Sequence, residues 1–179
     1  MEVIIFFLIF MQAFLPRNST PTSWSTVIMF ALGFWLSGSL VFDFLVVPGM
    51  LTTGMMNEPG FASAGYVIFG TFNHLELLCA ATVLAGCLVY RYGSNIASQV
   101  DTKSVLLAGG LLVIALAYTY VLTPQMSSLG MPLDLFATAK VMPASMTSMH
   151  IAYWSLEIVK LAGATSLLRL FYRNSCSIV

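Results

Sequence analysis

Apolar residues dominate long stretches of the chain and give way to polar, Pro- and Gly-containing segments at regular intervals. A membrane-spanning helix needs about 20 mostly apolar residues. Four stretches meet that length: Thr26 to Val47, a run within Phe61 to Tyr90, Ser104 to Leu122, and Met146 to Leu170. Backbone N–H and C=O groups have no water to bond in hydrocarbon, so such stretches form helices. The expected fold is an all-α membrane protein: a four-helix transmembrane bundle of residues 24–174, followed by a tail, 175–179. Residues 1–23 begin with the apolar run MEVIIFFLIFMQAFLP, which is short for a span. It lacks the basic start and the small-residue cleavage site of a secretory signal. An interfacial or tilted helix is the favoured reading, with a short extra span or an atypical signal as alternatives.

The composition fits. Hydrophobic residues make up 59% of the chain and charged residues 8%, against roughly a quarter charged in soluble domains. Mean hydropathy is +0.91. Net charge is zero, which gives no reason to expect nucleic acid. Lipid is the expected surroundings, with membrane complex subunits or a homo-oligomer as candidate partners. The three cysteines, Cys79, Cys87 and Cys176, have no CxxC spacing and do not suggest a disulfide framework. Arg17, Arg91, Lys103, Arg169 and Arg173 fall on one side of the expected spans and Lys140 on the other. The positive-inside rule then puts both ends of the bundle on the cytoplasmic side of a plasma, inner or thylakoid-type membrane.

Two segments share the pattern P-x-M-x-x-x-G-M. Pro48, Met50, Gly54 and Met55 match Pro124, Met126, Gly130 and Met131 at a shift of 76. The same shift carries His74 onto His150, the two histidines of the chain, and Gly33 onto Gly109. The expectation is an internal duplication, with two-helix repeats of about 26–92 and 102–168. Parallel repeats of this kind are related by an axis along the membrane normal. His74 and His150 would then be symmetry mates near the outer face.

Ionisable groups inside a membrane are costly and usually face the bundle interior. Asp43, Glu76, Glu157 and Lys160 stand out, with Tyr118 and Tyr120 near the outer end of the third span. His150, Trp154 and Glu157 recur at i, i+4, i+7, which predicts one shared face. Glu157 and Lys160 at i, i+3 are expected to pair with each other. The glycines of ALGFWLSGS and the pair Gly109–Gly110 are expected to allow close helix approach.

The histidines admit several readings. They are interfacial residues bonded to Asp43, Glu76 or carbonyls, axial ligands of a b-type haem, ligands of copper or another metal, or parts of an ion path. Eight of the eleven methionines lie toward the outer side. Met50, Met55, Met126, Met131 and Met149 are candidate additional copper ligands, or simply apolar filler. No phosphate loop, nucleophile–base arrangement or HExxH occurs, so no enzyme chemistry is assigned.

The stretches FWLSGSLVFDFLVVPGM, YVLTPQM and MHIAYWSLEIVKLAG resemble a bacterial family of four-helix membrane proteins without an assigned activity. That family is itself similar to copper resistance protein D-like membrane proteins. The resemblance covers roughly residues 24–170 and leaves out the apolar first sixteen. It implies a four-span bundle and an inclination toward copper.

Three functions follow as expectations. The first is a metal cofactor, haem b or copper, held between His74 and His150 for electron transfer or metal handling. The second is a non-catalytic subunit or assembly factor of a larger membrane complex. The third is a small proton- or cation-coupled transporter.

Overall fold

A computed structural model describes residues 21–53, 61–93, 102–128 and 144–176. The expectations for residues 1–20 and for Met55 and Met131 lie outside the described residues. Everything described is helical, apart from a turn residue at Thr53.

Four long helices account for the described residues. The first comprises α1 (Pro21–Val41), a π-helical turn (Phe42–Val46) and α2 (Val47–Thr52) without interruption. The second is α3 (Phe61–Gly93). The third comprises α4 (Thr102–Ala117), a second π turn (Tyr118–Leu122) and a helical continuation over 123–128. The fourth is α5 (Ala144–Cys176). Each long helix packs against its neighbours in sequence, and α5 closes the ring against α1. The stretches Trp24–Met50, Ser63–Arg91 and Thr102–Ser128 are long and apolar enough to cross a membrane.

Proline explains the two π turns. Pro has no N–H to donate, and its ring collides with the carbonyl four residues earlier. Pro48 and Pro124 both sit inside continuous helices, just beyond a π turn. Each π turn closes with an i→i+5 bond, from the Val47 N–H to the Phe42 carbonyl and from the Thr123 N–H to the Tyr118 carbonyl. The wider turn gives the displaced carbonyl room, and the helix continues instead of breaking. The two turns, 42–46 and 118–122, lie 76 residues apart.

One half of the bundle is filled by apolar side chains, among them Ile28, Leu32, Val83, Leu111, Leu167 and Phe171. Outside, Phe44, Leu45, Leu106, Val113 and Ile158 are largely exposed. An exposed apolar belt of this size belongs in lipid.

The closest helix approaches occur at glycines other than those expected. A Cβ added at Gly33, Gly109 or Gly110 would meet nothing within 4 Å. The tight positions are Gly86, where a Cβ would come 2.6 Å from Ile28, and Gly163, where it would come 3.2 Å from Leu111. Of the expected glycines, Gly38 alone faces another helix, where an added Cβ would lie 3.7 Å from Phe72; the others face outward because the sequence does not fix which way a helix faces when all its sides are apolar.

Candidate functional site

Lys160 organises the centre of the bundle. On α5 the buried positions are Tyr153, Glu157, Lys160, Ala164, Leu167 and Phe171. Their alternating spacing of four and three is that of a helix seam. Lys160, Glu157 and Glu76 are each only 1% exposed. The Lys160 ammonium donates to Glu76 Oε1 at 2.5 Å. It also lies 2.6 Å from Glu157 Oε1, an ion-pair contact whose angle is not that of a hydrogen bond. The same ammonium stands over the Tyr118 ring, 5.3 Å from its centroid, where the ring's negative face attracts a cation.

Each remaining helix adds a group. Ser39 of α1 donates to Glu76 Oε1 at 2.9 Å. Asp43, in the first π turn, is buried beside Glu157 and in the field of Lys160 and Glu76. Tyr118, in the second π turn, shares its one hydroxyl proton between Glu157 Oε2 and the Tyr153 carbonyl, both at 3.1 Å. The Trp35 indole lies near the Glu76 carboxylate, but its N–H makes no hydrogen bond. Trp35, Ser39 and Asp43 follow one another at i, i+4, i+8, so one face of the first helix carries all three. Glu76 falls in the middle of the apolar stretch Ser63–Arg91.

Three carboxylates thus surround one ammonium. Fully ionised, the cluster would hold two negative charges in excess, and a buried uncompensated charge costs several kcal/mol or more. That excess has to be offset, most simply by protons on the carboxylates.

An aromatic group closes one flank. Phe42 stacks on Phe72 with centroids 4.3 Å apart and meets Phe69 edge-on at 5.0 Å. Phe69 in turn meets Tyr153 edge-on at 6.3 Å, and Tyr153 leans on Tyr118 at 4.7 Å.

The sequence-expected residues divide. Asp43, Glu76, Tyr118, Glu157 and Lys160 come together. Glu157 and Lys160 are not a pair of their own, because Glu76 from another helix completes a triad. Trp154 does not share the Glu157 face: it is 46% exposed. Tyr153, one position earlier, occupies the seam instead. Tyr120 is exposed, and Met50, Met126 and Met149 are half-buried.

His74 is exposed on α3, on a different side from the buried Asn73 and Glu76, and its Nδ1 lies 2.6 Å from the Gly70 carbonyl of its own helix. His150 is half-buried and has interactions of its own. A haem or copper ion held between two imidazoles needs both rings turned to a shared interior, and His74 is turned to the periphery. Among the described residues, no group of three or more His, Cys, Asp and Glu side chains is arranged to hold a metal ion.

Trp35, Ser39, Asn73, Tyr153, Thr119 and Thr123 were not singled out from the sequence. The seam spacing of Tyr153 with Glu157 and Lys160 was readable. So was the i, i+4, i+8 spacing of Trp35, Ser39 and Asp43.

The chain matches no family model, and no curated protein or solved structure shows significant similarity to it.

Proposed function

We propose that the protein is a small proton- or cation-coupled membrane transporter, with Asp43, Glu76, Glu157 and Lys160 as its ion-coupling site. The observation that carries this reading is one buried ammonium shared by carboxylates of two helices, with a third carboxylate beside them. A structural ion pair needs one carboxylate. Two more make the charge balance depend on protons or a cation, so occupancy decides how strongly the first, second and fourth helices are held together. Intramembrane groups of this kind mark ion paths.

In this reading α5 is a fourth span. The charges that lower its apolar character, Glu157 and Lys160, are turned inward, while Ile151, Trp154, Ile158 and Val159 are exposed. Both ends of the bundle then lie on the cytoplasmic side, where Arg91, Lys103, Arg169 and Arg173 gather. The paired halves descend from one two-helix unit. The matched motifs around Pro48 and Pro124, and the two π turns 76 residues apart, support that descent.

Reconstitution tests the reading. Vesicles holding the full chain and a pH-sensitive dye, under an imposed potential, should show a proton flux above that of protein-free vesicles. Glu76→Gln and Glu157→Gln should each remove it. A flux unchanged in both variants, or absent from the wild type under proton and sodium gradients alike, rejects the proposal.

A further inference from the structure

Resting on the transport reading, we propose that the central cluster is reached from one end of the bundle only, along a polar seam between α3 and the third long helix. Water and a proton or small cation would pass Ser127, Thr123, Asn73 and Thr119 in that order.

The seam is built at helical spacing. Thr119, Thr123 and Ser127 follow one another at intervals of four residues across the second π turn. All three are buried, as is Asn73 opposite them. Asn73 Nδ2 donates to Thr123 Oγ1 at 2.6 Å. The Thr119 hydroxyl lies 2.8 Å from the Ala115 carbonyl and 3.4 Å from the Asn73 carbonyl. Thr119 adjoins Tyr118, whose hydroxyl reaches Glu157, and Asn73 stands one turn from Glu76. The seam therefore runs into the cluster.

Spare hydrogen-bonding capacity lines it. Asn73 Oδ1, at 0% residue exposure, and Ser127 Oγ, at 9%, have no partner within the protein. Asp43 Oδ2 and Glu76 Oε2 are in the same condition at its inner end. Buried polar groups in native proteins are nearly always satisfied by protein or by water. A water needs two to four polar partners, and this seam supplies them in series. The aromatic group of Phe42, Phe69, Phe72 and Tyr153 fills other ground in the same half, so polar groups are concentrated between α3 and the third helix.

Among the described residues, the opposite half offers no such series of polar groups. On the same face of α4, Ala115, Leu111 and Ala108 separate the cluster from Ser104, a single buried hydroxyl without a protein partner near the start of that helix. Across from them lie Val83, Leu167 and the thiols of Cys79 and Cys87, all essentially without exposure. Such apolar packing stays dry. The protein is thus shaped as a half-channel ending at Lys160, with the apolar core as its floor.

Thiol protection by Ag+ tests the route and is independent of flux. Thr123→Cys and Ser127→Cys are made singly in full-length Cys176→Ser protein, keeping Cys79 and Cys87. Vesicles are exposed to Ag+ on both sides, then denatured and treated with a maleimide. The expected result is loss of the maleimide mass shift at the introduced thiol and its retention at Cys79 and Cys87. Retention at both introduced thiols overturns the route, and so does protection that extends equally to Cys79 and Cys87. If the introduced thiols are protected but the Glu76→Gln flux test fails, the route stands and the transport reading falls.

Discussion

Replacing Lys160 with methionine removes the one cation at the centre while keeping an unbranched side chain one atom shorter. The ammonium is 2.5 and 2.6 Å from two carboxylates. With an effective dielectric near 20, each contact is worth about 7 kcal/mol of gross attraction. Burying the ions costs several kcal/mol each, so the intact cluster comes close to break-even. The variant loses the attraction and keeps the burial. Breaking a buried pair by removing one partner costs about 3–5 kcal/mol, and that loss is expected for Lys160→Met. Unfolding in mixed micelles of rising sodium dodecyl sulfate, followed by tryptophan fluorescence, would measure it; Trp35 lies beside Glu76 and reports the site directly. Glu76→Gln in the same background completes a cycle. Once Lys160 is gone, neutralising Glu76 relieves repulsion, so the double variant should be more stable than additivity predicts by about 1–3 kcal/mol. A Lys160→Met protein within about 1 kcal/mol of wild type, or an additive double variant, would refute the charge argument.

Tyr118→Phe deletes the hydroxyl shared by Glu157 and the Tyr153 carbonyl; a bond to a charged group carries about 1.5–3 kcal/mol, and a loss in that range should appear in the same titration. Gly86→Ala drives a methyl against Ile28 and should cost about 1–3 kcal/mol, whereas Gly33→Ala enters open space and should gain up to about 1 kcal/mol from lost backbone freedom in the unfolded chain; equal effects at the two sites would contradict the packing described. His74→Ala removes an exposed ring bonded to its own helix and should change stability by less than about 0.5 kcal/mol; a loss of several kcal/mol would mean the ring is held by something outside the described bundle.

Four helices could be read from the lengths of the apolar runs, because hydrocarbon leaves the backbone no other regular choice. The ionisable members of the cluster were equally legible, since each is conspicuous in an apolar chain. Their partners were not. Glu157 and Lys160 look self-sufficient in sequence, and only the register between α3 and α5 brings Glu76 to the same ammonium. His74 and His150 drew attention through their shift of 76, but a shared shift gives matching positions, not matching facing. Asn73, one residue from His74, is the one turned inward. On the first and third helices the π turns add a separate difficulty: an extra residue in a turn rotates everything beyond it, so a face counted at 3.6 residues per turn loses phase near Pro48 and Pro124.

The pairing of Glu157 with Lys160 on one helix has a consequence for assembly under the proposed four-span arrangement. As a fourth span, α5 would carry its own counter-ion and enter a bilayer nearly neutral at that level. Glu76 has no Lys or Arg within a turn of it on α3, so α3 must enter either protonated there or alongside its partner. The second helix is made first and, in that arrangement, would wait for the fourth. Biogenesis would then end with a neutralisation, and a chain truncated before α5 would leave an orphaned acid in lipid, a feature that membrane quality control could read.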